Sequence, residues 1–143
     1  MSEYTPEGIE FLGKNVTRYY LASRTITVYE IRENRRQEID IWINALLDHP
    51  ADDQPIYILY DFTAKPMIPT PYTFARMEEA MNQRPNTCGC LAIVLSSSFV
   101  LALARPFVER SIRKKQKEVE VRLFVKRMDA VKWLIDRRYS GNK

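Results

Sequence analysis

The chain has 143 residues, 45% of them hydrophobic and 28% charged, a composition that fits one globular domain and is too short for two typical ones. A domain of this size buries roughly 68–70% of the surface its extended chain exposes, so it needs neither a disulfide nor a metal to fold. Lys and Arg number 22 against 18 Asp and Glu, and apolar runs such as Ile56–Tyr60 and Leu91–Leu95 are about five residues long, against roughly 20 for a helix that spans a bilayer.

The amino-terminal Met1-Ser2-Glu3-Tyr4-Thr5-Pro6-Glu7 is acidic where a secretory signal is basic and then apolar, which predicts a cytoplasmic address. Residues 1–15 read as an irregular or partly helical lead-in to a single domain covering 1–143. Two strands follow, Val16–Ala22 and Thr25–Ile31, rich in β-branched and aromatic residues, with Ser23-Arg24 as a short link. From Arg35 to His49 the apolar residues Ile39, Trp42, Ile43, Leu46 and Leu47 recur on one helical face, with Asp40, Asn44 and Asp48 opposite and Pro50 closing the element. Ile56–Asp61 is apolar on both faces and predicts a central strand covered on each side, with Asp61 at its carboxyl end.

A stretch punctuated by Pro66, Pro69 and Pro71 leads into a helix from Tyr72 to Gln83, with Phe74, Met77 and Met81 spaced for burial. Leu91–Leu95 is a second strand apolar on both faces, and Ser96-Ser97-Ser98 offers caps for a third helix from Phe99 to Lys115, bent near Arg105 by Pro106. Val119–Val125 is the last strand and Arg127–Arg138 the closing helix, with Ala130, Val131, Leu134 and Ile135 inward. The order β-β-α-β-α-β-α-β-α predicts an α/β fold with a mixed, largely parallel central sheet and helices packed on it.

Chemistry-bearing residues are sparse. His49 is the single histidine, placed at a helix end, and no Ser or Cys stands beside it in a nucleophile setting. Cys88 and Cys90 flank Gly89, a spacing that strains a disulfide and leaves a zinc ion without further ligands, so they read as reduced thiols. Four glycines at 8, 13, 89 and 141 cannot form a phosphate-binding loop. No cofactor, no metal and no catalytic residue is expected.

The element order, together with Ile58-Leu59-Tyr60-Asp61-Phe62-Thr63, Ala92-Ile93-Val94-Leu95, Glu120-Val121-Arg122-Leu123-Phe124-Val125 and the ending Asp129-Ala130-Val131-Lys132-Trp133-Leu134, resembles STAS-like domains of the SpoIIAA-like branch of small bacterial proteins. The resemblance runs from Val16 to Leu134 and implies a non-enzymatic regulatory or protein-interaction domain. In the anti-sigma-factor antagonists of that family, a strand ending in Asp-Leu-Ser is followed by an Asp-Ser pair at a helix start, and that Ser is phosphorylated. The pattern falls here on Asp61-Phe62-Thr63 and on Pro69-Thr70, where the Asp is missing. By that resemblance Thr70, with Thr73 nearby, is the candidate phospho-acceptor; Thr70 equally suits an N-cap with Pro71 at the first helical position. Asp61, Thr63 and Tyr72 are candidates for a ligand or partner loop.

Between Leu101 and Arg127 there are nine cations against three acids, and Arg105, Arg110, Arg113, Lys114, Lys115 and Lys117 form a candidate patch for an anion or an acidic partner. Without a recognition-helix motif or an RNP-type aromatic signature, that patch does not point to nucleic acid. The third helix is apolar on more than one stripe, so Phe99, Leu103 and Phe107 are a candidate homodimer face, unless the segment around Phe11 and Leu12 covers it. Tyr19, Tyr20, Tyr29, Tyr57, Tyr60 and Tyr72 either pack in the core or line a site for a small apolar ligand, the carrier use that Sec14-type relatives make of such a fold.

Overall fold

The structure is a computed structural model that describes residues 3–48, 55–65, 67, 70–83, 88–97, 102, 105–106 and 119–141. Strands β1 (Glu7–Gly13), β2 (Val16–Leu21) and β3 (Ile26–Ile31) precede helix α1 (Arg36–Leu47). Strand β4 (Ile56–Asp61), helix α2 (Pro71–Gln83), strands β5 (Gly89–Val94) and β6 (Val119–Phe124) and helix α3 (Arg127–Gly141) follow. The six strands form one mixed sheet in sequence order, β1-β2-β3-β4-β5-β6. The pairs β1–β2 and β2–β3 are antiparallel, and β3–β4, β4–β5 and β5–β6 are parallel.

This α/β sheet has a strand that the sequence pattern hides. The segment expected to be irregular or partly helical contains β1, which pairs with β2 through register shifts between Glu7 and Glu10 and between Phe11 and Gly13. Those bulges break the alternation by which a strand is recognised, and Gly8, at φ +60, takes a backbone conformation that L side chains rarely adopt. The link between β2 and β3 is also longer than two residues. Ala22, Ser23 and Arg24 all have positive φ, and Thr25 closes the turn by donating its N–H and its hydroxyl to the Ala22 carbonyl, at 3.2 and 2.6 Å.

Two cores lie on opposite faces of the sheet. Connections between neighbouring parallel strands of one hand, advancing in one direction, place their helices on one face. Accordingly Ile39, Trp42, Ile43 and Leu46 of α1 and Met77 and Ala80 of α2 share a core with Tyr29, Ile58, Tyr60, Leu91 and Ile93. Helix α3 follows the last strand, is not a crossover, and folds onto the other face, where Ala130, Val131, Trp133, Leu134 and Ile135 meet Val28, Leu59, Ala92 and Val94. Strand β4 is thereby buried on both sides, and each of Ile58 and Leu59 contributes about 1.5–3 kcal/mol by leaving water.

Helix α1 starts at Arg35 without a side-chain cap. Glu38 in its first turn is 2% exposed and accepts from the Arg35 Nε at 2.8 Å and the Asn15 Nδ2 at 3.4 Å, tying the helix start to the β1–β2 turn. An acid there also opposes the positive end of the helix dipole. Of the expected third helix, Ala102, Arg105 and Pro106 are helical and exposed. Its other residues, with His49 and the side chains of Phe74 and Met81, lie outside the described residues. No helix among the described residues is long and apolar enough to cross a membrane.

Gly89 begins β5 at φ +128, and a Cβ there would stand 1.9 Å from the Ile56 carbonyl oxygen on the adjacent strand. Gly89→Ala therefore has to displace β4 or β5 and is expected to cost about 3 kcal/mol, read as a lower urea midpoint. A wild-type midpoint would contradict this packing.

Candidate functional site

The register aligns one residue from each strand into a row across the α3 face: Phe11, Thr17, Glu30, Asp61, Val94 and Phe124. The row lies toward the carboxyl ends of the parallel strands, where open α/β sheets bind ligands. It changes character along its length. Val94 and Phe124 pack under α3, Glu30 and Asp61 form a carboxylate pair in the middle, and Phe11 ends the row on the open edge.

Asp61, 6% exposed, is the last residue of β4, and its two oxygens have separate tasks. Oδ1 accepts from the Thr63 N–H at 2.9 Å and the Thr63 hydroxyl at 2.5 Å, which folds the chain back after the strand. Oδ2 accepts from the Arg127 Nη1 at 3.4 Å, and the same nitrogen lies 3.7 Å from the Glu30 Oε1. Arg127 opens α3, where the helix dipole disfavours a cation. Its place is set instead by the two carboxylates and by the Tyr19 ring, 5.2 Å below the guanidinium.

Burial pushes the Glu30 carboxyl above its ordinary range, the Asp61 charge adds to that, and Arg32 opposes it. Arg32 itself donates to the Thr17 hydroxyl at 2.8 Å. Burial pulls the Arg127 guanidinium down from its usual value. Lys65 pairs with Glu33, joining the loop after β4 to the one after β3. Among the described residues, the buried Ser96 hydroxyl beyond β5 has no hydrogen-bond partner.

Asp61 and Thr63 are thus brought together, whereas Tyr72 turns to α1. Its hydroxyl donates to the Asp40 Oδ1 at 2.6 Å, beside the Arg76 Nε at 3.1 Å from the same oxygen, and the Arg36 guanidinium lies 4.8 Å from its ring centre. Thr70 caps α2: its hydroxyl accepts from the Thr73 N–H at 3.2 Å, while the Thr73 hydroxyl accepts from the Thr70 N–H at 3.3 Å. Thr73 is 1% exposed, and its hydroxyl also donates to Asn34 at 3.4 Å.

The six tyrosines do not line one cavity. Tyr29 and Tyr60 are buried on the α1 side, Tyr19 is buried on the α3 side, and Tyr72 is on the surface of α2. Cys90 is buried with its thiol pushed up to about 11, and Cys88 is half-buried. Phe11 and Leu12 belong to β1, at the opposite edge of the sheet from β6. Arg105 is exposed, while Arg110, Arg113, Lys114, Lys115, Lys117, Phe99, Leu103 and Phe107 lie outside the described residues. Glu30 and Arg127 belong to no recognisable motif, although a charge on the face that carries Ile26 and Val28, and a cation at a helix start, are both readable signals.

Compared with known proteins, the chain matches no family model, no curated protein and no solved structure.

Because the folded chain holds the Glu30 proton more readily than the unfolded chain does, this residue lowers stability as pH rises from the ordinary glutamate value of 4.5 into the range just above it. Glu30→Gln is expected to remove that part of the slope in thermal melts taken across this window. An unchanged slope would contradict the burial of Glu30 beside Asp61.

Proposed function

We propose that the chain is a non-enzymatic protein-interaction domain, used as STAS-like regulatory domains are used, that engages a protein partner or a second copy along its antiparallel edge. One observation carries this reading: Phe11 is 78% and Ile9 58% exposed on β1, a strand with a single neighbour in the sheet among the described residues. Proteins usually blunt such edges with charge, because unpaired backbone groups beside apolar side chains are a template for another chain. Here Glu7 and Glu10 supply charge, yet two large apolar residues stay in water between and beside them.

The carboxylate pair supports a binding role over a catalytic one. Asp61 is engaged with Thr63 and Arg127, so its oxygens serve to fix the loop and the start of α3 next to the exposed end of the row. That gives the partner surface a rigid margin. The cytoplasmic address and the kinship to SpoIIAA-like proteins belong to this same proposal, and they rest on the sequence pattern.

Phe11→Lys tests it. The side chain is in water, so the variant's stability should stay within about 0.5 kcal/mol of wild type. Used as bait in a lysate of the native organism, or examined by sedimentation velocity, the wild-type protein is expected to retain a partner or self-associate and the variant to lose it. Equal retention and equal association state in the two proteins would sink the reading.

A further inference from the structure

Strand β1 carries an apolar knob on one side and borders an apolar groove on the other. Phe11 stands in register with Thr17, Glu30 and Asp61, on the side of the sheet that α3 covers. Its neighbour Glu10 stands in a second row with Arg18, Tyr29 and Tyr60, and the two tyrosines belong to the core under α1. Glu10 and Arg18 are therefore on the α1 side, where the carboxylate accepts from the Arg18 Nη2 at 2.9 Å. On that side a groove of about 480 Å³ lies between the β1–β2 hairpin and α1. Among the described residues, Leu12, Ile41 and Ala45 form its apolar wall, and the exposed Asn44 and Asp48 stand on its rim. A single phenyl ring fits within that volume.

Knob and groove lie at the same level along the strand. Strands β1 and β3 run the same way, and α1 returns against them from the end of β3 to the start of β4. Ile41 lies against Gly13, where an added Cβ would stand 2.8 Å from the Ile41 Cδ1. Ala45 is about 6 Å further along the helix, and Phe11 lies back from Gly13 by about 6–7 Å of strand. A two-fold axis parallel to β1, beside its open edge, exchanges the two sides of the sheet and keeps the level. It sets each Phe11 at the mouth of the other copy's groove. An axis perpendicular to the sheet would instead put both Phe11 rings on one side, and both grooves with both Glu10 carboxylates on the other. The parallel axis separates the acids of the two copies, because Glu10 and Asp48 stay on the α1 side of their own copy.

We propose that the occupant of the β1 edge is a second copy of this chain, related by that axis, with each Phe11 ring seated on Leu12, Ile41 and Ala45 of the other copy and Ile9 beside it. The inference rests on the edge reading above and names its occupant. The bulges of β1 interrupt the backbone ladder that strand-to-strand pairing needs, so side chains set the contact. Two-fold symmetry covers both knobs at once and leaves neither groove open. A buried aromatic side chain hides about 150–250 Å². With Ile9 and the walls they cover, the two Phe11 rings bring the contact to the order of 1,000 Å², the lower limit for a specific interface. The dimer is accordingly weak, and its population rises with concentration.

Sedimentation equilibrium of the purified full-length protein, over concentrations reaching the millimolar range, tests it. Wild type is expected to pass from monomer to dimer, and Phe11→Lys and Ala45→Glu each to dimerise at least about tenfold more weakly. Mixed in equal amounts, the two variants are expected to associate at least about tenfold more tightly than either does alone. One Phe11 then meets an intact groove, and the introduced lysine meets the introduced glutamate. If Ala45→Glu fails to fold, isotope-filtered NOE spectra of mixed labelled and unlabelled wild type decide, with contacts expected from the Phe11 ring to the Ile41 and Ala45 methyl groups. A wild type that stays monomeric, an Ala45→Glu variant that dimerises as wild type does, a mixture no better than its components, or a dimer without those contacts would each overturn the proposal. A lysate partner lost by Phe11→Lys beside a monomeric wild type would overturn this inference and leave the edge reading standing.

Discussion

Strand β4 turns Ile58 and Tyr60 to one side and Leu59 to the other, so neither face of it can be left in water. A strand of that kind is stable only as the middle layer of three, and the chain meets the demand in two different ways. Helices α1 and α2 cover one face as crossovers between parallel strands. Helix α3, which has no further strand to reach, covers the other. Strands β3 to β5 are therefore shielded on both sides, while β1, at the antiparallel edge, has a single neighbour among the described residues.

That asymmetry explains where polar chemistry collects. Two neighbouring rows of residues cross the sheet on opposite faces, and each meets the margin differently. On the α3 face, Glu30 and Asp61 lie where the helix covering begins, and Arg127 at the helix start is held by their charge. On the α1 face, Arg18 and Tyr29 carry polar atoms inward under the hairpin. The helix cover thins toward β1: α1 still reaches the hairpin, where Ile41 lies against Gly13, while Ile9, Glu10 and Phe11 beyond it are exposed.

Much of the frame is legible in the residues. The apolar runs of β4 and β5 and the helical periodicity of Ile39, Trp42, Ile43 and Leu46 mark their elements because burial on a fixed face imposes a period. Strand β1 is hidden because two bulges destroy that period, so Phe11 and Leu12 read as an irregular apolar pair. The turn at Ala22–Thr25 is hidden because none of its three positive-φ residues is glycine. Asp61 and Thr63 are visible as a strand end with a local hydrogen bond. Glu30 and Arg127 are not, since their pairing joins residues nearly a hundred positions apart and depends on the register of β3 beside β4. The cross-strand pair of Arg18 and Tyr29 is of the same kind: the register of β2 beside β3 creates it, and no local spacing reports it.

Native-state hydrogen exchange addresses the three-layer arrangement most directly. The account predicts that the amides of Leu59 in β4 and Ala92 in β5 exchange only through global unfolding, while those of Ile9 and Phe11 in β1 exchange orders of magnitude faster by local opening. Exchange of β4 and β5 as fast as that of β1 would mean that the strand taken as the doubly covered centre is not one.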